Sequence, residues 1–198
     1  MKNKEQLRAL LDQKRSAVGE SERQKAAQLA THSFEKSDLF ITSQHIACYL
    51  PRTVEFDCTP MIQTIWEAKK SCYIPILVSE DAGLQFAHYQ VETPVILNRY
   101  KILEPESAHI FSALKLDVVI LPLVGFDDEG NRLGMGGGYY DRTFAFLRNN
   151  TVKKPVLIGL GYECQRVRLL PHDEWDIKLD GMLTEKGLHF YPHKSKTP

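Results

Sequence analysis

The chain has 198 residues, 43% of them apolar and 25% charged, enough to bury a full core as one domain. Its 25 Lys and Arg balance its 25 Asp and Glu, so no global field draws in nucleic acid or an anionic membrane, and any anion binding has to be local. No stretch approaches the apolar run that spans a bilayer, and Met1-Lys2-Asn3-Lys4-Glu5 lacks the apolar centre of a signal peptide; we expect a cytoplasmic monomer.

Residues 3 to about 36 contain no proline and only Gly19, which predicts two helices, with Ser21 and Gln24 as a capping box for the second. On the first helix, at about 100° per residue, Lys4, Arg8 and Arg15 fall within about 40° of one another. They flank the apolar stripe Leu7, Leu11, Val18. Such a basic edge either holds cations over a neighbouring pocket or snorkels into solvent, and both readings stand. His45 to Leu50 is a short apolar run ended by Pro51 and reads as a strand. Pro60 to Lys69 reads as a helix with proline near its first turn. Tyr73 to Val78 and Leu84 to His88 read as further strands. Asp117 to Leu121, apolar after its first residue, and Val156 to Leu160 are continuous runs of the kind that marks strands buried on both faces. Strands alternating with helices predict an α/β fold, a three-layer α/β/α arrangement with a largely parallel central sheet. It is taken as one domain over residues 1–191, with a polar tail at 192–198 that frays.

Ligands of such sheets gather at the carboxyl ends of the strands, and the run after Leu121 is the most unusual in the chain. Six of the 12 glycines lie between Gly125 and Gly138, culminating in Arg132-Leu133-Gly134-Met135-Gly136-Gly137-Gly138-Tyr139-Tyr140-Asp141-Arg142. Glycines permit positive φ and leave successive N–H groups open. Placed just before a segment of helical periodicity, Tyr140 to Leu147, they make a seat for phosphate. No Gly-Lys-Ser/Thr follows, which excludes a Walker A loop, and the spacing is wrong for a dinucleotide fingerprint. The competing reading is a plain flexible turn. Asp141 either complements the start of that helix or serves as a Mg²⁺ ligand beside the phosphate. Glu55, in the loop after the first strand, is placed to accept paired N–H donors of a heterocycle, or is an ordinary loop acid. The acids of Leu170 to Asp176 form a polar turn or supply a second metal carboxylate. Tyr140, Phe144 and Leu147 follow an i, i+4, i+7 stripe, which turns Tyr140 to packing and leaves Tyr139 for the pocket. Cys48, Cys58, Cys72 and Cys164 share no metal-type spacing and read as reduced.

Taken together, these segments resemble the 5-formyltetrahydrofolate cyclo-ligase, or methenyltetrahydrofolate synthetase, family from Lys4 to Thr184. Arg132 to Arg142 carries most of the likeness, with support from Lys4-x-x-Leu7-Arg8, Tyr49 through Glu55, Glu104-Pro105 and Pro171 through Asp176. The resemblance implies an α/β/α fold and the ATP- and Mg²⁺-dependent closure of 5-formyltetrahydrofolate to 5,10-methenyltetrahydrofolate, with release of ADP and phosphate. It implies that Lys4, Arg8, Arg132, Gly134, Met135, Gly136, Gly137, Gly138, Tyr139 and Tyr140 bind ATP. Asp141 and Asp176 would hold Mg²⁺, and Leu50 and Glu55 would contact the folate together with Gly136, Gly138 and Tyr139. No side chain is assigned as a nucleophile. Two positions depart from the pattern. Met135 and Gly137 stand where some relatives carry a basic side chain in the loop, and Cys58 stands where a threonine is frequent. A sugar-phosphate isomerase or acyl-transferase relative, and a non-catalytic nucleotide-binding module, are the alternative readings.

Overall fold

The computed structural model describes residues 3–52, 54–79, 82–98, 102–106, 109–149 and 154–192. Its first half holds α1 (Lys4–Ser16), α2 (Glu20–Glu35), α3 (Asp38–Thr42), β1 (His45–Ala47), α4 (Thr59–Glu67), β2 (Ser71–Ile76), β3 (Gln85–His88) and β4 (Val95–Leu97). The second half holds β5 (Leu103–Pro105), β6 (Ile110–Phe111), β7 (Val118–Pro122), β8 (Gly125–Phe126), β9 (Arg132–Leu133), α5 (Tyr139–Thr143), β10 (Val156–Leu160), β11 (Gly181–Thr184) and β12 (Gly187–Phe190). Of the expected polar tail, all but Pro192 lies outside the described residues.

Eight strands form one sheet in the order β12-β11-β10-β7-β1-β2-β3-β6. The five central strands, β11 through β2 in that order, run parallel, while β12, β3 and β6 pair antiparallel at the two margins. The α/β class and the largely parallel sheet are as predicted. The unbroken apolar runs explain themselves, because β7 is buried on both faces. Val118 and Ile120 point with Ile158 and Leu160 into a core against α2, α3 and α4. Val119, Leu121 and Leu157 point the other way, toward Phe126, Phe144 and Met182. That second face is covered by α5, a 3₁₀ turn at Ala145–Asn149 and the irregular segment 170–180 rather than by long helices.

Local chemistry corrects several boundaries. The capping box expected at Ser21 and Gln24 does not form. Helix α2 begins two residues earlier, with Gly19 as N-cap and its N–H donating to Glu22 Oε2 at 3.3 Å, so Ser21 already lies within the first turn. Asn3 does cap α1, its Oδ1 accepting from the Gln6 N–H at 2.8 Å while Gln6 Oε1 accepts from the Asn3 N–H. Strand β1 ends at Ala47, not Leu50, although the Cys48 N–H still donates to the Tyr73 carbonyl at 2.8 Å. The predicted helix from Tyr140 to Leu147 is broken at Phe144, whose φ of −103° leaves the α region as its ring enters the core at 0% exposure. Thr143 Oγ1 bonds back to the Tyr139 carbonyl at 2.7 Å, which weakens the same turn. Among the described residues no helix is long and apolar enough to cross a membrane.

Candidate active site

The carboxyl ends of β1, β2 and β7 open onto a cleft of about 710 Å³, large for a small-molecule site. Every residue assigned to ligand or metal from the sequence lines it. One wall is apolar and comes from β2, the loop after it and the β4–β5 hairpin: Pro75, Leu77, Leu84, Ile102 and Leu103, with Leu50 beside them. A second wall is charged and comes from α1, β9, the glycine loop and residues 173–176. Seven basic side chains line the cleft against four acidic ones, so a chain of zero net charge concentrates a positive excess here.

The capped first turn of α1 fixes Lys4 over the acid turn. Its Nζ donates to Asp173 Oδ2 at 2.6 Å and to Asp176 Oδ2 at 2.9 Å. Burial pulls the Lys4 ammonium down, but those two hydrogen bonds and charges outweigh it and hold its pKa above the ordinary value. Burial likewise pushes the Asp176 carboxyl up. The Asp173 N–H, the Lys4 ammonium and the Arg132 charge win, leaving it below the usual carboxylate range. Arg132, on β9, donates Nη2 to Asp141 Oδ1 at 2.6 Å and Nη1 to the Ile177 carbonyl. The Ile177 N–H closes the ring onto the same Asp141 oxygen at 3.0 Å. One helix turn beyond Lys4, Arg8 gives its Nε to the Gly134 carbonyl at 2.9 Å and has no carboxylate partner among the described residues. The basic edge of α1 therefore faces the cleft rather than solvent.

The glycine loop is the least committed backbone in the site. Among the described residues, none of the N–H groups of Gly134 through Gly138 meets an acceptor, although Gly138 O accepts from the Arg142 N–H at 3.0 Å. Gly136 and Gly138 sit at φ +105° and +63°, the left-handed region that a side chain resists. A Cβ at Gly136 would lie in ordinary contact with the Arg8 guanidinium, at 3.5 Å, so it is the positive φ and not space that calls for glycine there. Met135, exposed at 59%, adds no charge. Positive side chains, open amides and a concave wall are together complementary in charge and hydrogen bonding to a polyanion such as a polyphosphate.

Asp141 and Asp176 are the two carboxylates expected to take Mg²⁺. Among the described residues no cluster of three or more metal-ligating side chains exists, so no all-protein metal cage is built here. Two carboxylates completed by phosphate oxygens is nevertheless the usual Mg²⁺ arrangement. Both groups feel Arg132, Asp141 by direct contact and Asp176 through its charge. Each already grips a cation, and hard oxygen donors of this kind fit the ion.

On the other side of the cleft, Glu55 is partly engaged. Its Oε2 accepts from the Arg52 N–H at 2.9 Å, and its own N–H donates to the Arg52 carbonyl at 2.9 Å, which closes a turn and aims the carboxylate. Cys58 is buried and its Sγ donates to the Tyr49 carbonyl at 2.7 Å, doing what a threonine hydroxyl would do there. Burial pushes that thiol well up, so it is inert. Tyr140 stacks on Phe144 at 6.4 Å between centroids. Burial, aided by the Glu55 charge, pushes its phenol far above the ordinary value, so it acts as a neutral hydroxyl. Tyr139 lies under Arg142 at 4.8 Å.

Sequence reasoning gave no role to Trp175, Arg148, the apolar wall or the buried Asp127, and left Asp173 among the acids of the 170–176 turn without singling it out. Asp173 could have been found, three residues before Asp176 in one acid turn. Asp127 accepts from the Glu129 and Asn131 N–H groups, from Asn131 Nδ2 and, at 2.9 Å, from the Leu170 N–H. It thereby ties the β8–β9 hairpin to the segment that carries Asp173 and Asp176, a link no local pattern displays.

A sequence model of the 5-formyltetrahydrofolate cyclo-ligase family matches residues 1–185. The 5-formyltetrahydrofolate cyclo-ligase of Escherichia coli K12 is 36% identical over 178 residues, 88% of this chain and 96% of its own. That of Haemophilus influenzae is 38% identical over 144 residues, 71% of this chain and 75% of its own. The solved 5,10-methenyltetrahydrofolate synthetase of Aquifex aeolicus superposes with a TM-score of 0.81 at 26% identity, covering 98% and 99% of the two chains. With the glycine loop, its flanking arginines and the acid turn all brought to one cleft, the chain belongs to the 5-formyltetrahydrofolate cyclo-ligase family.

Proposed function

We propose that the chain closes 5-formyltetrahydrofolate to 5,10-methenyltetrahydrofolate at the expense of ATP, releasing ADP and phosphate. The observation that carries this reading is the run of uncommitted amides from Gly134 to Gly138, set between Arg8 and Arg132 in the cleft. A formamide carbon is a weak electrophile and its oxygen leaves poorly. In the first step the formyl oxygen takes the γ-phosphoryl group and ADP departs. N10 then attacks the activated carbon, phosphate carries the oxygen away, and N10 loses its proton.

The protein's part is positioning and charge neutralisation, as in other phosphoryl transfers. Arg8, Lys4 and Arg132 bind the phosphates, and the glycine amides stabilise charge that develops on the transferred oxygens. Asp141 and Asp176 would hold Mg²⁺, which would supply positive charge to offset the phosphate oxygens. Glu55 orients the pterin through its N–H donors, Leu50 packs on the ring, and Tyr139 with Gly136 and Gly138 touches both substrates. Tyr140 contributes a neutral hydroxyl.

The test is direct. Purified protein with Mg·ATP and 5-formyltetrahydrofolate should generate the near-ultraviolet band of the methenyl product, with one ADP and one phosphate per product. A band that grows without ATP ends the reading. ATP affinity with no band would leave a binding module instead.

A further inference from the structure

Trp175 stands on the charged wall, 61% exposed as a residue. Among the described residues no ring or cation stacks on it. An indole residue left mostly in water gains little for folding, since most of its apolar surface is not buried. The backbone beneath it is nonetheless fixed. Trp175 O accepts from Arg148 Nη2 at 2.6 Å, the Asp176 N–H donates to the Asp173 carbonyl at 3.1 Å, and Asp173 N–H donates to Asp176 Oδ2 at 2.9 Å. The same turn holds Lys4, and the next residue but one, Ile177, is tied to Asp141. An aromatic side chain on a fixed backbone is thus placed beside the charges of the cleft. The apolar side chains Leu77, Ile102 and Leu103 belong to the other wall.

Resting on the reading that the cleft takes ATP, we propose that Trp175 is the platform on which the nucleotide base stacks. The anchored backbone leaves only the two side-chain torsions to be ordered by such a contact, and every base offers a π face to it. The triphosphate then runs from the indole past Lys4 toward Arg8 and the glycine amides. The pterin keeps the wall formed by Leu50 and Glu55.

Three probes separate this from its rivals. Trp175→Ala should raise KM for ATP roughly ten-fold, within the range that base–aromatic stacking supports. Turnover at saturation and KM for 5-formyltetrahydrofolate should stay within about two-fold. Trp175→Phe should recover most of the loss. Inhibition by inorganic tripolyphosphate, which has no base, should be equal in parent and variants. ADP should quench tryptophan emission in the parent but not in Trp175→Phe, because the remaining Trp66 is engaged elsewhere through Nε1 to the Tyr89 carbonyl. An unchanged KM for ATP in Trp175→Ala, a rise confined to the folate, or quenching that survives Trp175→Phe overturns the proposal. A parent protein that makes no methenyl product from ATP is a different result: it removes the underlying reading before any variant is compared.

Discussion

Lys4 faces two carboxylates at once, and that imbalance leaves negative charge at the turn. One ammonium cannot neutralise both Asp173 and Asp176, so a further cation or a metal-bound polyanion is accommodated at little electrostatic cost. Removing Lys4 should therefore affect ligand more than fold. Its side chain is 29% exposed, and pairs of that kind are worth roughly 0–1 kcal/mol to stability. In Lys4→Ala we expect KM for ATP to rise ten-fold or more, KM for the folate to hold, and Tm to move little; steady-state kinetics with each substrate varied in turn decides this. Asp141 is different because it also has a structural task. It accepts from Arg132, whose side chain is only 6% exposed, and from the Ile177 N–H. Asp141→Ala should lose activity and also roughly 1–3 kcal/mol of stability from the abandoned guanidinium and amide. Asp141→Asn keeps an acceptor oxygen without the charge. It should hold most of the Tm while kcat falls about 100-fold or more. If Asp141→Asn turns over like the parent, the metal assignment is wrong.

The glycine loop behaves as an element in its own right, and its glycines are not equivalent. A Cβ at Gly134 meets nothing within 4 Å, whereas Gly136 is held at φ +105° against Arg8. Gly134→Ala should leave Tm within about 2 °C of the parent. Gly136→Ala should cost roughly 1–3 kcal/mol of backbone strain and, by shifting the loop out of its positive φ, raise KM for ATP; paired melting curves and ATP titrations test both. This loop was legible in the sequence because glycine density and a flanking helix are local signals. So were the two strands buried on both faces, β7 and β10, since burial on both sides needs an unbroken apolar run. The β11–β12 hairpin was not legible, because its Glu185-Lys186-Gly187 turn, with Gly187 at φ +118°, follows a strand too short and mixed to announce itself. Nor was the β4–β5 hairpin, whose Val95, Ile96 and Leu97 are all exposed and so lack the alternation that burial imposes. That omission hid the apolar wall. The acid turn was half visible: Asp176 carried a motif, but its contact with Lys4 spans 172 residues and is set only by the tertiary fold.

At the scale of the whole molecule the parallel sheet has two ends with different work. Its carboxyl end supports the cleft. At the opposite end one side chain, Asp117, fastens β1 to β7 and to the approach to β10. Its Oδ2 accepts from the Gln44 and His45 N–H groups at 2.8 and 2.9 Å, and its Oδ1 accepts from Lys154 Nζ at 2.6 Å. Burial pushes the Asp117 carboxyl up, but the Lys154 hydrogen bond and the two amides outweigh it and hold the pKa down at about 2, against an ordinary value of 3.8. The folded state therefore binds the proton more weakly than the unfolded chain. The stability this contributes is fully present above pH 3.8 and is lost as pH falls from there through about 2. In Asp117→Ala that contribution is absent at every pH. The variant should melt several degrees below the parent at pH 7, the size expected for losing hydrogen bonds to a charged group, roughly 1.5–3 kcal/mol. The gap between the two should narrow as the pH is lowered from 4 toward 2, because the parent then surrenders the same interaction. Since Asp117 lies at the end of the sheet away from the cleft, KM for ATP and for the folate should be those of the parent at pH 7. Melting curves of both proteins across the acid range check the point: a Tm gap that stays constant down to pH 2 would show that the Asp117 carboxylate is not the group whose protonation loosens the sheet.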